Sequence, residues 1–200
     1  MALIYRDALS LIRRGNWNDS TIKEKLDALQ AIEDEMAHRQ GRNRCLVKEQ
    51  SLNTDDYLEC GRYDFFQRKE IVINTAVLNQ EDSETAVQTV LHEGYHAYQD
   101  QAANGLAVHD NEDQVALWRD NLDIRRYISY ERNERTYSSQ ALESDANKYT
   151  DEAYRQLRWE SDAEHSGQSE LLNQYHPAFQ KLVDENEKYR AVRREQGITN

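Results

Sequence analysis

The stretch VLHEGYHAY carries two histidines and a glutamate whose spacing could support chemistry at a metal ion. His92 and His96 are four positions apart, and on an α-helix such positions lie on one face, a turn from each other. Both imidazoles can therefore bind a single ion. Glu93 lies one step round the helix from His92, where its carboxylate can reach a water on the ion without binding the ion itself. This spacing predicts two metal ligands and a general base.

A third ligand is required, because catalytic zinc sites use three protein ligands and leave one position open. The spacing HExxHxxGxxH, which would supply a third histidine, is excluded because the residues after His96 are AYQDQA. Glu143 is the preferred candidate. It follows the apolar Leu142 on a predicted helix, and a carboxylate at the edge of a core needs a partner such as a metal. Three other acidic residues compete for this role: Asp145, Asp151 and Glu152.

Asn147 lies four positions after Glu143 on the same predicted helix. Its amide is predicted to form a hydrogen bond with a liganding imidazole or with Glu143 itself. A plainer interpretation remains open for the whole group. In that interpretation the two histidines are polar residues on a helix surface, and Glu143 is a solvated carboxylate.

The hydrophobic pattern predicts the elements that must position these residues. Six helices are expected: over 2–14, from about 22 to Gly41, from about 82 to 104, within 113–128, over 140–158 and after Pro177. The cap of the second is expected at Asp19, Ser20 or Thr21, that of the third at Asp82 or Ser83, and that of the fifth at Ser138 or Ser139. Strands are expected near 44–48, 57–66 and 70–74, with a turn at 67–69. The stretches RGNWNDS and ESDAEHSGQSE are expected to break helices. The predicted fold class is α+β, mostly helical, with a small three-stranded sheet beside the helix of His92 and His96.

The composition argues against several classes of partner and location. The chain has 25 basic and 37 acidic side chains and a net charge of −12, which opposes binding to nucleic acids and to anionic membranes. No segment is apolar enough to span a bilayer, and the N-terminus lacks the features of a signal peptide. Cys45 and Cys60 form no metal-binding pair and suit a reducing compartment. We therefore expect a cytoplasmic protein, or one delivered by a secretion system that reads no N-terminal signal.

The stretches IVIN, HEGYH and LESDANKY together resemble a known group of proteins. In zincins of the glutamate-ligand type, a second helix carries a Glu that is often followed four residues later by an Asp; Glu143 matches, and Asn147 replaces the Asp. More particularly, residues 57–157 resemble the ImmA/IrrE-like minimal metallopeptidases, with their I-x-I-N strand and E-x-x-A-N helix. The segment between His96 and Glu143 is longer than usual in that family, which predicts an extra helical insert.

The resemblance implies a zincin core that binds one Zn²⁺ through His92, His96 and Glu143, with Glu93 as the base. The strand Ile71-Val72-Ile73-Asn74 would lie beside the cleft and pair with an extended peptide substrate. A tyrosine near the third ligand could hold the oxyanion, although each of the three candidates is more typical of core packing: Tyr130, Tyr137 and Tyr149. The implied organisation is an N-terminal helical segment over 1–43, a zincin-like metallopeptidase core over 44–160, and a C-terminal helix and tail over 161–200, all within one domain.

Three hypotheses about function follow from these residues. The first is an endopeptidase that hydrolyses a protein or peptide target, either in a regulatory setting or as a bacterial toxin or effector whose partner would be an inhibitory or immunity protein. The second is an inactive zincin fold that binds metal as a scaffold or inhibitor. The third is a helical interaction module without a metal. The presence of Glu93 favours the first, because an inactive protein does not need the base.

Overall fold

The computed structural model describes residues 3–52, 59–65, 69–123, 128 and 133–165. Within these ranges the helices are α1 (Tyr5–Leu11), α2 (Arg14–Asp19), α3 (Ile22–Arg39), α4 (Thr75–Leu78), α5 (Glu84–Ala103), α6 (Glu112–Asn121), α7 (Glu134–Ser139) and α8 (Ala141–His165). The strands are β1 (Leu46–Gln50), β2 (Gly61–Tyr63) and β3 (Glu70–Asn74). The predicted α+β class is confirmed, since the chain is mostly helical and a small mixed sheet packs against α5, the helix of His92 and His96.

Strand β3 is the central strand of the sheet that the described residues form. Strand β1 pairs with it in parallel and β2 pairs with it antiparallel on the other side. The far edge of β1 is closed by Gln30 of α3, whose amide accepts a hydrogen bond from Val47 N–H at 2.8 Å and donates one to the Cys45 carbonyl at 2.9 Å. Because β2 lies on the side of α5, it is the edge strand nearest to His92 and His96.

Helices α5 and α8 form the framework of the core. Helix α5 is buried along most of its length, and it packs against α3, the sheet, α6 and α8. Apolar residues from α1, α3, β3, α5 and α8 contribute to one continuous cluster, which includes Leu9, Ile32, Ile71, Val87 and Leu157. The N-terminal helices therefore share their core with the segment that carries the histidines. No helix in the described ranges combines the length and the apolar character needed to cross a bilayer.

A buried ion pair lies where α5 crosses α3. Arg42 donates two parallel hydrogen bonds to Glu33, at 2.6 and 2.7 Å, and neither side chain is more than 1% exposed. Gly94 of α5 faces this pair, and a Cβ atom there would lie 2.8 Å from Glu33 Oε2. On the neighbouring position, the ring of Tyr95 stacks on Tyr149 with 4.4 Å between centroids. Gly94 and Tyr95 thus pack α5 into the core.

Tertiary contacts extend the helices beyond the predicted limits. The stretch RGNWNDS, predicted to break a helix, forms α2, because Trp17 is fully buried and its indole N–H donates to the Gln80 carbonyl at 3.2 Å. Residues 160–165, predicted as a loop, continue α8. Ser161 Oγ donates to the Leu9 carbonyl at 2.8 Å, and Arg39 donates to both oxygens of Glu160. These contacts hold the last turns of α8 against α1 and α3.

Element boundaries differ from the predictions in smaller ways. Thr21 caps α3 in a capping box with Glu24, and Asp82 accepts the Glu84 N–H at the start of α5. Strand β1 begins at Leu46, two residues later than expected, and β2 spans 61–63 within the predicted 57–66. Ser138 and Ser139 lie in α7, which was not predicted, so they do not cap α8. The turn residues 67 and 68 and the helix expected after Pro177 lie outside the described residues.

Gly94→Ala tests the crossing of α5 over α3. The added methyl would collide with the Glu33–Arg42 pair, so we expect the free energy of unfolding to fall by about 1–3 kcal/mol, as for other overpacked cores. Urea denaturation followed by circular dichroism measures this change.

Gly15→Ala in α2 is the matched control, because a Cβ there has no neighbour within 4 Å. It should leave the stability unchanged or raise it by up to about 1 kcal/mol through helix propensity. Equal effects of the two substitutions would contradict the close approach at Gly94.

Candidate metal centre

His92, His96 and Glu143 direct three ligand atoms at one point between α5 and α8. The two Nε2 atoms are 3.1 Å apart, and Glu143 Oε2 lies 3.3 Å from His92 Nε2 and 3.5 Å from His96 Nε2. Zinc binds such atoms at about 2.0–2.2 Å, so two ligands at a tetrahedral angle lie about 3.3–3.6 Å from each other. The triangle therefore has the dimensions of three corners of a tetrahedral site. This cluster can hold a metal ion, with the fourth corner left to another ligand.

Packing of α8 on α5 selects Glu143 from its acidic neighbours. Glu143 is 2% exposed in the first turn of α8, next to the fully buried Leu142. Asp145 instead accepts hydrogen bonds from the Trp118 indole and from the Gln114 amide of α6. The two remaining candidates, Asp151 and Glu152, are exposed. The structure thus brings together the three predicted ligands.

Gln99 sets the orientation of His96. Its Oε1 atom lies 2.8 Å from His96 Nδ1, and its Nε2 atom donates to the Leu142 carbonyl at 3.0 Å. Because the second bond fixes which end of the amide is the donor, Nδ1 of His96 must carry a proton and donate it to Gln99. In the neutral imidazole the lone pair then lies on Nε2, facing the other two ligands. One buried amide therefore fixes the tautomer of His96 and holds the backbone beside Glu143.

The ligands alter each other's protonation in the metal-free protein. Burial alone would raise the pKa of Glu143, but the imidazoles of His92 and His96 lower it by more. The pKa of this carboxyl therefore lies well below its usual range. Burial lowers the pKa of His96, but the Glu143 carboxylate outweighs it and raises this pKa to about 9. At neutral pH His96 is therefore protonated and paired with Glu143, and a bound metal takes the place of that proton.

Glu93 lies beside the three ligands and is bound by strand β2. Its Oε2 atom accepts a hydrogen bond from the backbone N–H of Tyr63 at 2.8 Å, and the side chain is half-buried. Its charge contributes to the raised pKa of His96, so the carboxylate is near the ligands. The backbone of the edge strand therefore orients the predicted base, a contact that the residue pattern alone did not indicate.

Two of the predicted roles need correction. Asn147 is exposed, and the hydrogen bond expected from it is made to His96 by Gln99, three residues along α5 on the same face. The sequence feature that could have identified Gln99 is its i+3 spacing from His96.

The substrate was predicted to pair with the strand Ile71-Val72-Ile73-Asn74. These residues form the central strand, and β1 and β2 occupy its two edges. The edge strand beside α5 is β2.

The three tyrosines considered as oxyanion-binding residues lie in different parts of the chain. Tyr149 is packed between Tyr95 and Met36, where its hydroxyl lies 3.6 Å from the Met36 sulfur, so it serves packing. Tyr137 lies in α7, and Tyr130 lies outside the described residues.

Comparison with known proteins found no family model, no curated protein and no solved structure that matches this chain.

Gln99→Met should weaken metal binding, because His96 loses the acceptor that fixes its tautomer. We expect the dissociation constant for zinc to rise about 10–100-fold, as for other residues that orient a liganding histidine. Competition with a chromophoric chelator measures the constant.

Gln101→Met is the matched control, because Gln101 is a buried amide on the same helix that bonds only to the Asn43 backbone among the described hydrogen bonds. It should leave zinc affinity within about twofold. If Gln99→Met binds zinc as tightly as this control, the role assigned to Gln99 is wrong.

Metal binding should release a proton from His96 at neutral pH. Because the pKa of His96 is raised to about 9, its charged form predominates below that pH and competes with the metal. The apparent affinity should rise about tenfold per pH unit between pH 7 and 9 and level off above. Calorimetric titrations in buffers of different ionisation enthalpy count the protons; binding without proton release at pH 7 would contradict the His96–Glu143 pairing.

Proposed function

We propose that this chain is a zinc-dependent endopeptidase. The observation that carries the proposal is the triangle of His92, His96 and Glu143 ligand atoms, with edges of 3.1–3.5 Å, beside a carboxylate that is not part of it. Three protein ligands with an additional acid–base group are typical of catalytic zinc sites and not of structural ones, which use four protein ligands.

The donor set supports zinc as the metal. Two imidazole nitrogens and one carboxylate oxygen at tetrahedral spacing suit zinc, whereas magnesium and calcium prefer six or more oxygen ligands. A zinc ion bound there would polarise the substrate carbonyl and make a water molecule acidic enough to react near neutral pH. The protein contributes a buried, pre-arranged ligand set, in which Gln99 and the packing of α8 on α5 fix two of the three ligands.

Glu93 is the general base of this proposal. Because the Tyr63 N–H is bound to Oε2, the carboxylate is held in one orientation and Oε1 remains to accept a proton from the attacking water. Glu93 then passes that proton to the amine of the leaving peptide.

Strand β2 is the proposed binding edge for the substrate. The Asp64 N–H donates to the Glu70 carbonyl, and the Asn74 N–H donates to the Cys60 carbonyl, so residues 60 and 64 face β3. By strand alternation, the backbone groups of Gly61 and Tyr63 point away from β3. The Tyr63 N–H is bonded to Glu93, so an extended peptide added to this edge would pair with the backbone of Gly61 and with the Tyr63 carbonyl, and its own backbone would lie next to Glu93. We therefore transfer the predicted substrate contact from 71–74 to the outer edge of β2.

The biological setting is proposed from the resemblance to ImmA/IrrE-like metallopeptidases. A small enzyme of this kind would act on a specific protein, as a regulatory protease or as a delivered toxin or effector. In the second case an inhibitory or immunity protein would be its natural partner.

Glu93→Gln tests the function. The amide still offers an oxygen to the Tyr63 N–H but cannot accept a proton, so zinc should stay bound while hydrolysis falls at least about 100-fold, the contribution of a general base. Mass-spectrometric profiling of a proteome-derived peptide library measures cleavage, and elemental analysis measures zinc.

Glu152→Gln removes one exposed carboxylate from α8 and should behave as the wild type. Unchanged cleavage by Glu93→Gln would overturn the assigned base. No cleavage by the fully zinc-loaded wild type would overturn the peptidase and leave a metal-binding scaffold.

A further inference from the structure

Strand β2 lies along α5 and contacts it at three successive points. Gly61 packs on Thr89, the Tyr63 N–H bonds to Glu93, and the Tyr63 hydroxyl donates to Asp100 Oδ2 at 2.9 Å. The middle contact is the one that orients the base. The two outer contacts hold the strand at the distance that the middle contact needs.

The contact at Gly61 is a close approach between backbone and helix. A Cβ atom at this position would lie 2.5 Å from Thr89 Cγ2 and 2.6 Å from the Val72 carbonyl. A side chain here would therefore push β2 away from α5 or from β3. Glycine allows the strand to lie against the turn of α5 that precedes His92.

Asp100 provides the contact at the other end. It follows His96 by four positions, so it is on the same face of α5 as the two histidines. Its carboxylate is 6% exposed and accepts hydrogen bonds from the Tyr63 hydroxyl, from Lys69 Nζ at 2.6 Å and from the Asn104 amide at 3.0 Å. Two of these donors, Tyr63 and Lys69, flank the connection between β2 and β3, so Asp100 binds both ends of that connection.

The Tyr63 side chain is well suited to this role. It is 5% exposed, and its ring packs against Phe65, which in turn lies 5.9 Å from the His96 ring, centroid to centroid. Burial, reinforced by Asp100, raises the pKa of the Tyr63 hydroxyl above its usual range, so it stays a neutral donor. Since β2 has only three residues, the side-chain anchor supplies rigidity that its short ladder with β3 does not.

We propose that Asp100 is a positioning residue for Glu93: by anchoring the Tyr63 side chain to α5, it keeps the Tyr63 N–H bonded to the Glu93 carboxylate and so fixes the direction of the base. The catalytic consequence rests on the proposed peptidase function. The anchoring itself does not, and it is measured independently of activity.

Two variants remove the anchor and one serves as control. Tyr63→Phe deletes only the hydroxyl that bonds to Asp100, and Asp100→Ala removes the carboxylate that accepts this bond. Asn104→Ala removes a different hydrogen bond to Asp100, one made to the other carboxylate oxygen, Oδ1. All three remove a hydrogen bond of Asp100, but only the first two remove the bond that holds the strand.

Amide hydrogen exchange at residue 63, followed by NMR in the zinc-loaded protein, reports the bond to Glu93. We expect exchange to be at least about tenfold faster in Tyr63→Phe and Asp100→Ala, because local opening becomes easier, and unchanged in Asn104→Ala. Unchanged exchange in Tyr63→Phe, or an equal increase in the control, would overturn the proposal.

The same variants test the catalytic consequence. A misdirected base should lower kcat by about 10–100-fold, while KM stays within about threefold and the zinc content is unaffected. A kcat equal to that of the wild type, despite faster exchange, would overturn the positioning role. If the wild-type protein itself cleaves nothing, the peptidase proposal fails, and the exchange result alone decides whether Asp100 anchors the strand.

Discussion

The candidate metal centre depends on the contact between α5 and α8. That contact brings the carboxylate of Glu143 against two imidazoles and buries Glu143 and His96, while the His92 side chain is 18% exposed. A buried charge is costly unless it is paired, so the arrangement is stable only when a positive charge lies among the ligands. Without a metal that charge is the proton on His96, whose pKa is raised to about 9, and with a metal it is the ion. The junction of the two helices can therefore hold a compact cation.

The other faces of α5 serve to keep that junction in place. Gly94 lies on the buried Glu33–Arg42 pair of the α3 side, and Tyr95 stacks on Tyr149 of α8. On the sheet side, Tyr63 binds Glu93 through its backbone and Asp100 through its hydroxyl. A helix that is packed on every side cannot rotate about its axis without breaking several of these contacts. The directions of His92, Glu93 and His96 are therefore set by tertiary packing, whereas their common face follows from helical spacing alone.

The difference between local helical spacing and tertiary packing also explains what could be predicted from the sequence. The shared helix face of His92 and His96, the start of α5 just after Asp82 and Ser83, and the place of Glu143 at the core beside Leu142 follow from local sequence, and each is found in the structure. The central place of Ile71 and Ile73 could not be predicted, because the order of strands in a sheet is a property of the whole chain.

The hydrogen-bond partner of His96 could not be predicted either, because it depends on how the helices pack. The choice of Gln99 over Asn147 depends on how α8 is rotated against α5, and Asn147 points outward although it is one turn from Glu143.

We propose that one zinc ion binds where the three ligand atoms converge. Anomalous diffraction at the zinc edge, from crystals of the protein loaded with one equivalent of zinc, locates the ion. We expect a single strong peak about 2.0–2.2 Å from Nε2 of His92, Nε2 of His96 and a carboxylate oxygen of Glu143. A peak elsewhere, or none between these residues at full loading, would contradict it.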